Sequence, residues 1–168
     1  QQGEEQRIYL SDKKLEKTKE IYFSNGTNMR NIAFIGADHL VLETSKQLLL
    51  LNISTLELAT LKDAVGGLRD VSKSGNRFLY ECNTPSDVCE FDLETGKSVN
   101  LTNTPGQREL SAVYAPDQKK IYLVSYPAVN CLEESCTPSL YVLDLATGKS
   151  KRLMSSDNGN LRYTLIPP

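Results

Sequence analysis

The chain has 168 residues, 39% of them hydrophobic and 24% charged, a balance that fits a folded domain and excludes a disordered segment. Its 19 basic and 21 acidic side chains leave a net charge of −2, too small and of the wrong sign for a nucleic-acid surface. The densest apolar run, Leu48 to Leu51, falls far short of the roughly 18 residues of a membrane-crossing helix, so no membrane span is expected. The stretch opens with Gln1-Gln2-Gly3, without methionine or an apolar leader, so any targeting segment is expected to have been removed or to lie elsewhere.

From its N-terminus onward the chain repeats itself. Arg7-Ile-Tyr-Leu-Ser-Asp12 reads as an apolar strand ending on an aspartate ahead of Lys13-Lys14. Stronger copies are Leu48-Leu-Leu-Leu-Asn-Ile-Ser-Thr55, Val88-Cys-Glu-Phe-Asp-Leu-Glu-Thr95 and Leu140-Tyr-Val-Leu-Asp-Leu-Ala-Thr147. The last two run on identically as Thr-Gly-Lys-Ser, at Thr95 to Ser98 and Thr147 to Ser150. The anchors Asp12, Asn52, Asp92 and Asp144 are 40, 40 and 52 residues apart, and an insertion around Pro127 to Pro138 accounts for the longer last gap. A period near 40 is that of a four-stranded propeller blade.

The remaining strands keep this phase. First strands are predicted at Asn31–Ile35, Leu68–Val71 and Leu110–Tyr114, and second strands at Leu40–Leu42, Arg77–Tyr80 and Lys120–Val124. The turns between them, Gly36–His39, Lys73–Asn76 and Ala115–Lys119, hold the Gly, Asn, Asp and Pro that tight hairpins use. Outer strands are predicted at Leu58–Leu61, Val99–Thr102 and Lys151–Met154. The leucines of 40–61 also fit an amphipathic helix. The β-branched and turn-forming Asn52 to Thr55, and the repeat register on both sides, favour strands.

The fold class expected is all-β, a β-propeller of about four blades or a partial propeller completed by another chain or a missing segment. Residues 7–27 supply the third and fourth strands of one blade. Full blades follow at 28–65, 66–105 and 106–157, and 158–168 begins a first strand of a shared or next blade. No second strand for that shared blade is found at either end, which favours a fragment or a partner-completed ring over closure into four.

Ala115-Pro-Asp-Gln-Lys-Lys-Ile-Tyr-Leu123, followed by Leu140-Tyr-Val-Leu-Asp-Leu-Ala-Thr-Gly-Lys149, resembles the repeats of TolB-like propellers and of the propeller domains of prolyl-oligopeptidase-type peptidases. The blade at 28–65 departs from the pattern, with Asn52 for the aspartate and Leu56-Glu57 for Gly-Lys. The absence of tryptophan leaves the WD40 pattern unmet. The resemblance implies a propeller fold, and propellers host unrelated functions.

Chemistry is sparse in this frame. The one histidine, His39, lies in a predicted turn, and there is no G-x-S-x-G elbow, so no serine triad assembles from the sequence. Asp12, Asp92 and Asp144 end strands, where a carboxylate caps backbone N–H groups more readily than it binds a metal. No cofactor or metal is expected.

The cysteines form two local pairs, Cys82 with Cys89 and Cys131 with Cys136. Neither has the C-x2-C spacing of a zinc ribbon; both suit small disulfide loops, with free thiols or metal use as alternatives. Three sequons, at Asn25, Asn52 and Asn100, are compatible with secretion without deciding it. The acidic pair Glu133 and Glu134, in the inserted loop between Cys131 and Cys136, is the candidate binding contact.

These readings converge on a non-catalytic protein–protein interaction or scaffold domain of an extracytoplasmic protein (secreted, periplasmic or lumenal). A protein partner is expected, including a second chain or segment that completes the ring. The alternative is the accessory propeller of a prolyl-oligopeptidase-type serine peptidase whose catalytic domain is absent from this chain.

Overall fold

The computed structural model describes residues 5–12, 14–25, 28–63, 66–83, 86–128 and 137–155, and among these every regular element is a strand. The strands fall into two units, one ending at Gly67 and the other starting at Leu68.

The first unit holds a hairpin, β1 (Glu5–Ser11) with β2 (Thr18–Asn25), and a four-stranded sheet. That sheet runs β3 (Met29–Ile35), β4 (His39–Thr44), β5 (Gln47–Asn52), β6 (Leu58–Asp63), each antiparallel to the next. The second unit holds two more such meanders. One is β7 (Leu68–Val71), β8 (Arg77–Cys82), β9 (Asp87–Asp92), β10 (Lys97–Asn100); the other is β11 (Gln107–Tyr114), β12 (Lys120–Pro127), β13 (Ser139–Asp144), β14 (Ser150–Ser155). The four-stranded sheets recur in the phase of the 40-residue repeat.

The leucine-rich stretch is strand throughout, and its packing explains why. Leu40, Val41 and Leu42 are consecutive and all buried, as are Leu48 and Leu49. A helix against a core would turn one of three consecutive residues to solvent, whereas an inner strand covered on both faces buries them all. Burying a leucine is worth about 2 kcal/mol, several times its intrinsic preference for helix. Leu40, Leu42, Leu49 and Leu51 share one face and pack with Ile21 of β2.

In the second unit the core lies between the two sheets. Leu79 and Val88 meet Ala112, Tyr114, Ile121, Leu123 and Leu143. Polar bonds stitch the same interface. The Tyr114 N–H donates to Asp70 Oδ2 at 2.8 Å, its hydroxyl donates to Glu90 Oε1 at 2.8 Å, and Arg77 lies 3.3 Å from the same carboxylate. Burial, reinforced by the bond to Glu90, pushes the Tyr114 phenol far above its usual value, so it remains a donor at any ordinary pH.

The repeat anchors turn the chain. Asp92 Oδ1 accepts from the Thr95 N–H at 2.8 Å and hydroxyl at 3.0 Å, and Asp144 Oδ1 does the same with Thr147, both at 2.9 Å. Hydrogen bonds from Thr95 and Thr147 hold these two carboxyls below the usual aspartate value. Asn52 replaces them in the leucine-rich blade and accepts from the Ser54 and Thr55 N–H groups, each at 2.9 Å. Four residues after these anchors the backbone is left-handed, at Leu56 (φ 62°), Gly96 (φ 66°) and Gly148 (φ 66°). The predicted outer strand at Val99–Thr102 is displaced to Lys97–Asn100. Asn100 Oδ1 accepts from the N–H groups of Thr102 (3.2 Å) and Asn103 (3.0 Å), which ends the strand in a turn.

Cys82 and Cys89 are joined in a disulfide, with Cα atoms 5.8 Å apart, at the facing ends of β8 and β9. Cys131, Cys136, Glu133, Glu134 and the predicted first strand at 158–168 lie outside the described residues.

Two stability measurements follow from these turns and this bridge. Gly148→Ala meets no atom within 4 Å of its new Cβ, so it should cost only the left-handed backbone penalty, about 1 kcal/mol in urea unfolding. At the equivalent site Leu56→Gly should gain about 0.5–1 kcal/mol, and a loss there would show that the Leu56 side chain outweighs its backbone strain. Reducing Cys82–Cys89 should lower stability by about 2–3 kcal/mol, the closure entropy of so short a loop.

Candidate functional site

One end of the interface between the two sheets of the second unit does not close. A cavity of about 190 Å³ opens there, between the loop after β10 and the face of β11 to β14. Its floor is apolar, from Leu101, Leu123, Leu143 and the ring of Tyr141; its polar groups include Thr104, Gln107, Glu109 and Ser125.

A bulge brings Glu109 here. Along β11 the pairing steps from Glu109 opposite Ser125 to Ser111 opposite Val124, leaving Leu110 as the extra residue. Strict alternation would place Glu109 on the opposite face from Ala112 and Tyr114; the bulge puts it on theirs, towards the core. Leu110 is turned out, 43% exposed, while Glu109 is 2% exposed. The other first strands carry the same irregularity, between Met29 and Asn31 in β3 and between Leu68 and Asp70 in β7. Counted from the turn to the second strand, Met29, opposite Thr44, occupies the position that Glu109 takes opposite Ser125, whereas the bulge in β7 lies nearer the turn.

Only half of the Glu109 carboxyl is satisfied. Oε1 accepts from the Thr104 hydroxyl at 2.6 Å, and Oε2 is buried with no hydrogen-bond partner among the described residues. Burial raises the Glu109 pKa above the usual glutamate value, the Thr104 bond opposes this, and the nearby charge of Asp87 adds to it. Asp87 has the contrary environment. Burial favours its neutral form too, but bonds from Asn100 Nδ2 (2.8 Å), Asn83 Nδ2 (3.1 Å), the Thr104 N–H (3.2 Å) and the Thr102 hydroxyl (3.3 Å) outweigh it and hold its pKa down. Asp87 thus ties the loop that roofs the cavity to the start of β9. Ser125 donates to Gln107 Oε1 at 3.1 Å across the mouth.

The residues singled out by sequence sit elsewhere. Cys82 and Cys89 are bonded to each other, and Cys131, Cys136, Glu133 and Glu134 are among the residues not described. His39 lies between Asp38, 2.8 Å from Nδ1, and Asn52 Nδ2, 3.2 Å from Nε2, so both ring nitrogens are engaged. Two sequon asparagines are likewise occupied: Asn52 Nδ2 at His39, and Asn100 Nδ2 donating to Asp87. Among the described residues no group of three or more His, Cys, Asp or Glu is placed to hold a metal ion. Glu109 escapes a sequence reading because it precedes the predicted strand by one residue. The repeat alignment carries the signal, since it sets Glu109 against Met29 of the first full blade.

Comparison with known proteins yields fold and no sequence family. No family model matches the chain, and no curated protein matches it in sequence. Solved structures do match it. A prolyl endopeptidase is 16% identical with a TM-score of 0.62, over 88% of this chain and 22% of that one. The acylaminoacyl peptidase of Pyrococcus horikoshii is 8% identical with a TM-score of 0.60, over 76% and 24%. A chain of a nidogen/laminin complex is 11% identical with a TM-score of 0.57, over 83% and 53%. The chain spans about half or less of the length of each. The likeness is to β-propeller domains and is one of architecture: antiparallel four-stranded sheets in series.

The two carboxyls should act on stability in opposite directions. A folded pKa above the ordinary value favours folding at low pH, and this contribution is lost as pH rises through the raised value. Glu109→Gln should therefore raise the urea midpoint at pH 7 and flatten its decline above the ordinary glutamate range. Asp87, held low, stabilises above the ordinary aspartate range and loses that contribution as pH falls through its folded value. Asp87→Asn should cost about 1 kcal/mol at pH 7 and little in strong acid.

Proposed function

We propose that this chain is a non-catalytic, propeller-type interaction domain of an extracytoplasmic protein. Its blades lie at 28–65, 66–105 and 106–157, and the partial blade at 7–27 is completed by strands from outside it. The carrying observation is the two-stranded hairpin β1–β2. In the complete sheets the third strand, β5, β9 or β13, is paired on both sides. β1 ends on the anchor Asp12, whose Oδ1 accepts from the Glu16 N–H at 2.9 Å as the other anchors cap their turns. It therefore holds a third-strand place, yet among the described residues it pairs with β2 alone. An open strand edge is a template for another strand, and a partner that supplies one gains a ladder of backbone hydrogen bonds. The Cys82–Cys89 bridge supports an oxidising compartment, where such bonds persist. The loop with Glu133 and Glu134, between Cys131 and Cys136, is a second contact in this reading.

Light scattering and amide exchange test the partner-completed blade. The expected result is either a discrete assembly heavier than the 18.7 kDa monomer or a monomer whose β1 amides exchange much faster than those of β5. A monomer with β1 protected as strongly as β5 would sink the reading. Titrating the unfolded, unreduced protein should find no free thiol at Cys82, Cys89, Cys131 or Cys136. Four reactive thiols would overturn the extracytoplasmic assignment. A flanking α/β-hydrolase region with a serine elbow in the same gene would instead make this segment a peptidase's propeller.

A further inference from the structure

We propose that the cavity beneath the β10–β11 loop is a binding site for a small organic ammonium ion, held by the Glu109 carboxylate with its apolar body on Leu123, Leu143 and Tyr141. The inference is independent of the partner-completed blade. It begins with what the fold does not need. The equivalent position in the first sheet carries Met29, so sheet geometry is satisfied by an apolar side chain there. Burying a carboxyl in its place is costly unless something pairs with it. Here the cost is visible as Oε2, enclosed and without a partner, in a side chain only 2% exposed.

The space in front of Glu109 fits a small ligand. About 190 Å³ corresponds to roughly six waters at bulk density, or a compact molecule of similar bulk. The charge pattern selects its sign. Among the described residues no Lys, Arg or His lines the cavity, and Asp87, close enough to raise the Glu109 pKa, adds negative potential. An anion would meet two carboxyls and no cation. A neutral donor would satisfy Oε2 but gain nothing from Asp87. An ammonium group gains from both, because it supplies the missing donor and offsets the burial and the Asp87 charge that disfavour the carboxylate. The apolar floor then accepts a hydrocarbon body, as small-molecule sites usually do.

Binding is coupled to a proton. The free site favours the acid form of Glu109 more than water does; an ammonium beside it favours the carboxylate, and any proton displaced goes to solvent. Affinity should therefore rise with pH until Glu109 is ionised in the free protein.

The test uses the full chain with benzylammonium chloride, and benzyl alcohol as the uncharged control, by isothermal titration calorimetry. Titrations in buffers of different ionisation enthalpy report proton release. The expected result is saturable benzylammonium binding with net proton release at pH 4.5, the ordinary glutamate value, at least about tenfold weaker in Glu109→Gln, and benzyl alcohol binding alike to both proteins. Three results would each overturn the proposal: no saturable binding at millimolar ligand, equal benzylammonium affinity in wild type and Glu109→Gln, or binding without proton release at that pH. Should the variant not fold, proton release by the wild type decides alone.

Discussion

A four-stranded sheet whose inner strands are apolar on both faces cannot stand by itself. Leu40-Val41-Leu42 and Phe78-Leu79-Tyr80 put oily side chains above and below their sheets. Each face needs a cover: the β1–β2 hairpin packs on one face of the sheet in the first unit, and in the second unit an equivalent sheet covers Leu79 and Val88. Repetition is thus the consequence of a burial requirement rather than a decoration of the sequence. The same requirement makes the turns narrow in chemistry, since a short repeat leaves few residues to reverse the chain.

The features tied to this requirement were readable in the sequence. The anchors Asn52, Asp92 and Asp144 gave the period, and each caps the turn that its spacing implied. Strand identity in the leucine-rich blade was readable only because the neighbouring repeats fixed its phase; leucine alone is ambiguous between a helix stripe and a covered strand. The cysteine pair at 82 and 89 was legible from its place at the facing ends of two strands. Val99–Thr102 was misplaced because the side-chain bonds of Asn100 compete with the ladder, a local choice that hydrophobic pattern does not report.

The candidate site was invisible for a related reason. Period-two alternation is the only rule that assigns faces along a strand, and a bulge breaks it silently. Glu109 reads as a polar residue ahead of a strand, whereas the extra residue Leu110 rotates it into the core. Asp87 and Glu109 also show how little sequence says about carboxyl chemistry. Four donors lower the pKa of one, and burial against a single hydroxyl raises that of the other.

The turns bear on sugar attachment as well. A transferase that glycosylates asparagine must reach the side-chain nitrogen, and in Asn52 and Asn100 that nitrogen is already committed to His39 and Asp87. Freeing it would break the contact of Asn52 with His39 or the knot that secures the roof of the cavity, while the turns themselves rest on the Oδ1 atoms. At these two positions a transferase therefore reaches the nitrogen most readily before folding, and an attached glycan would compete for room with His39 or Asp87.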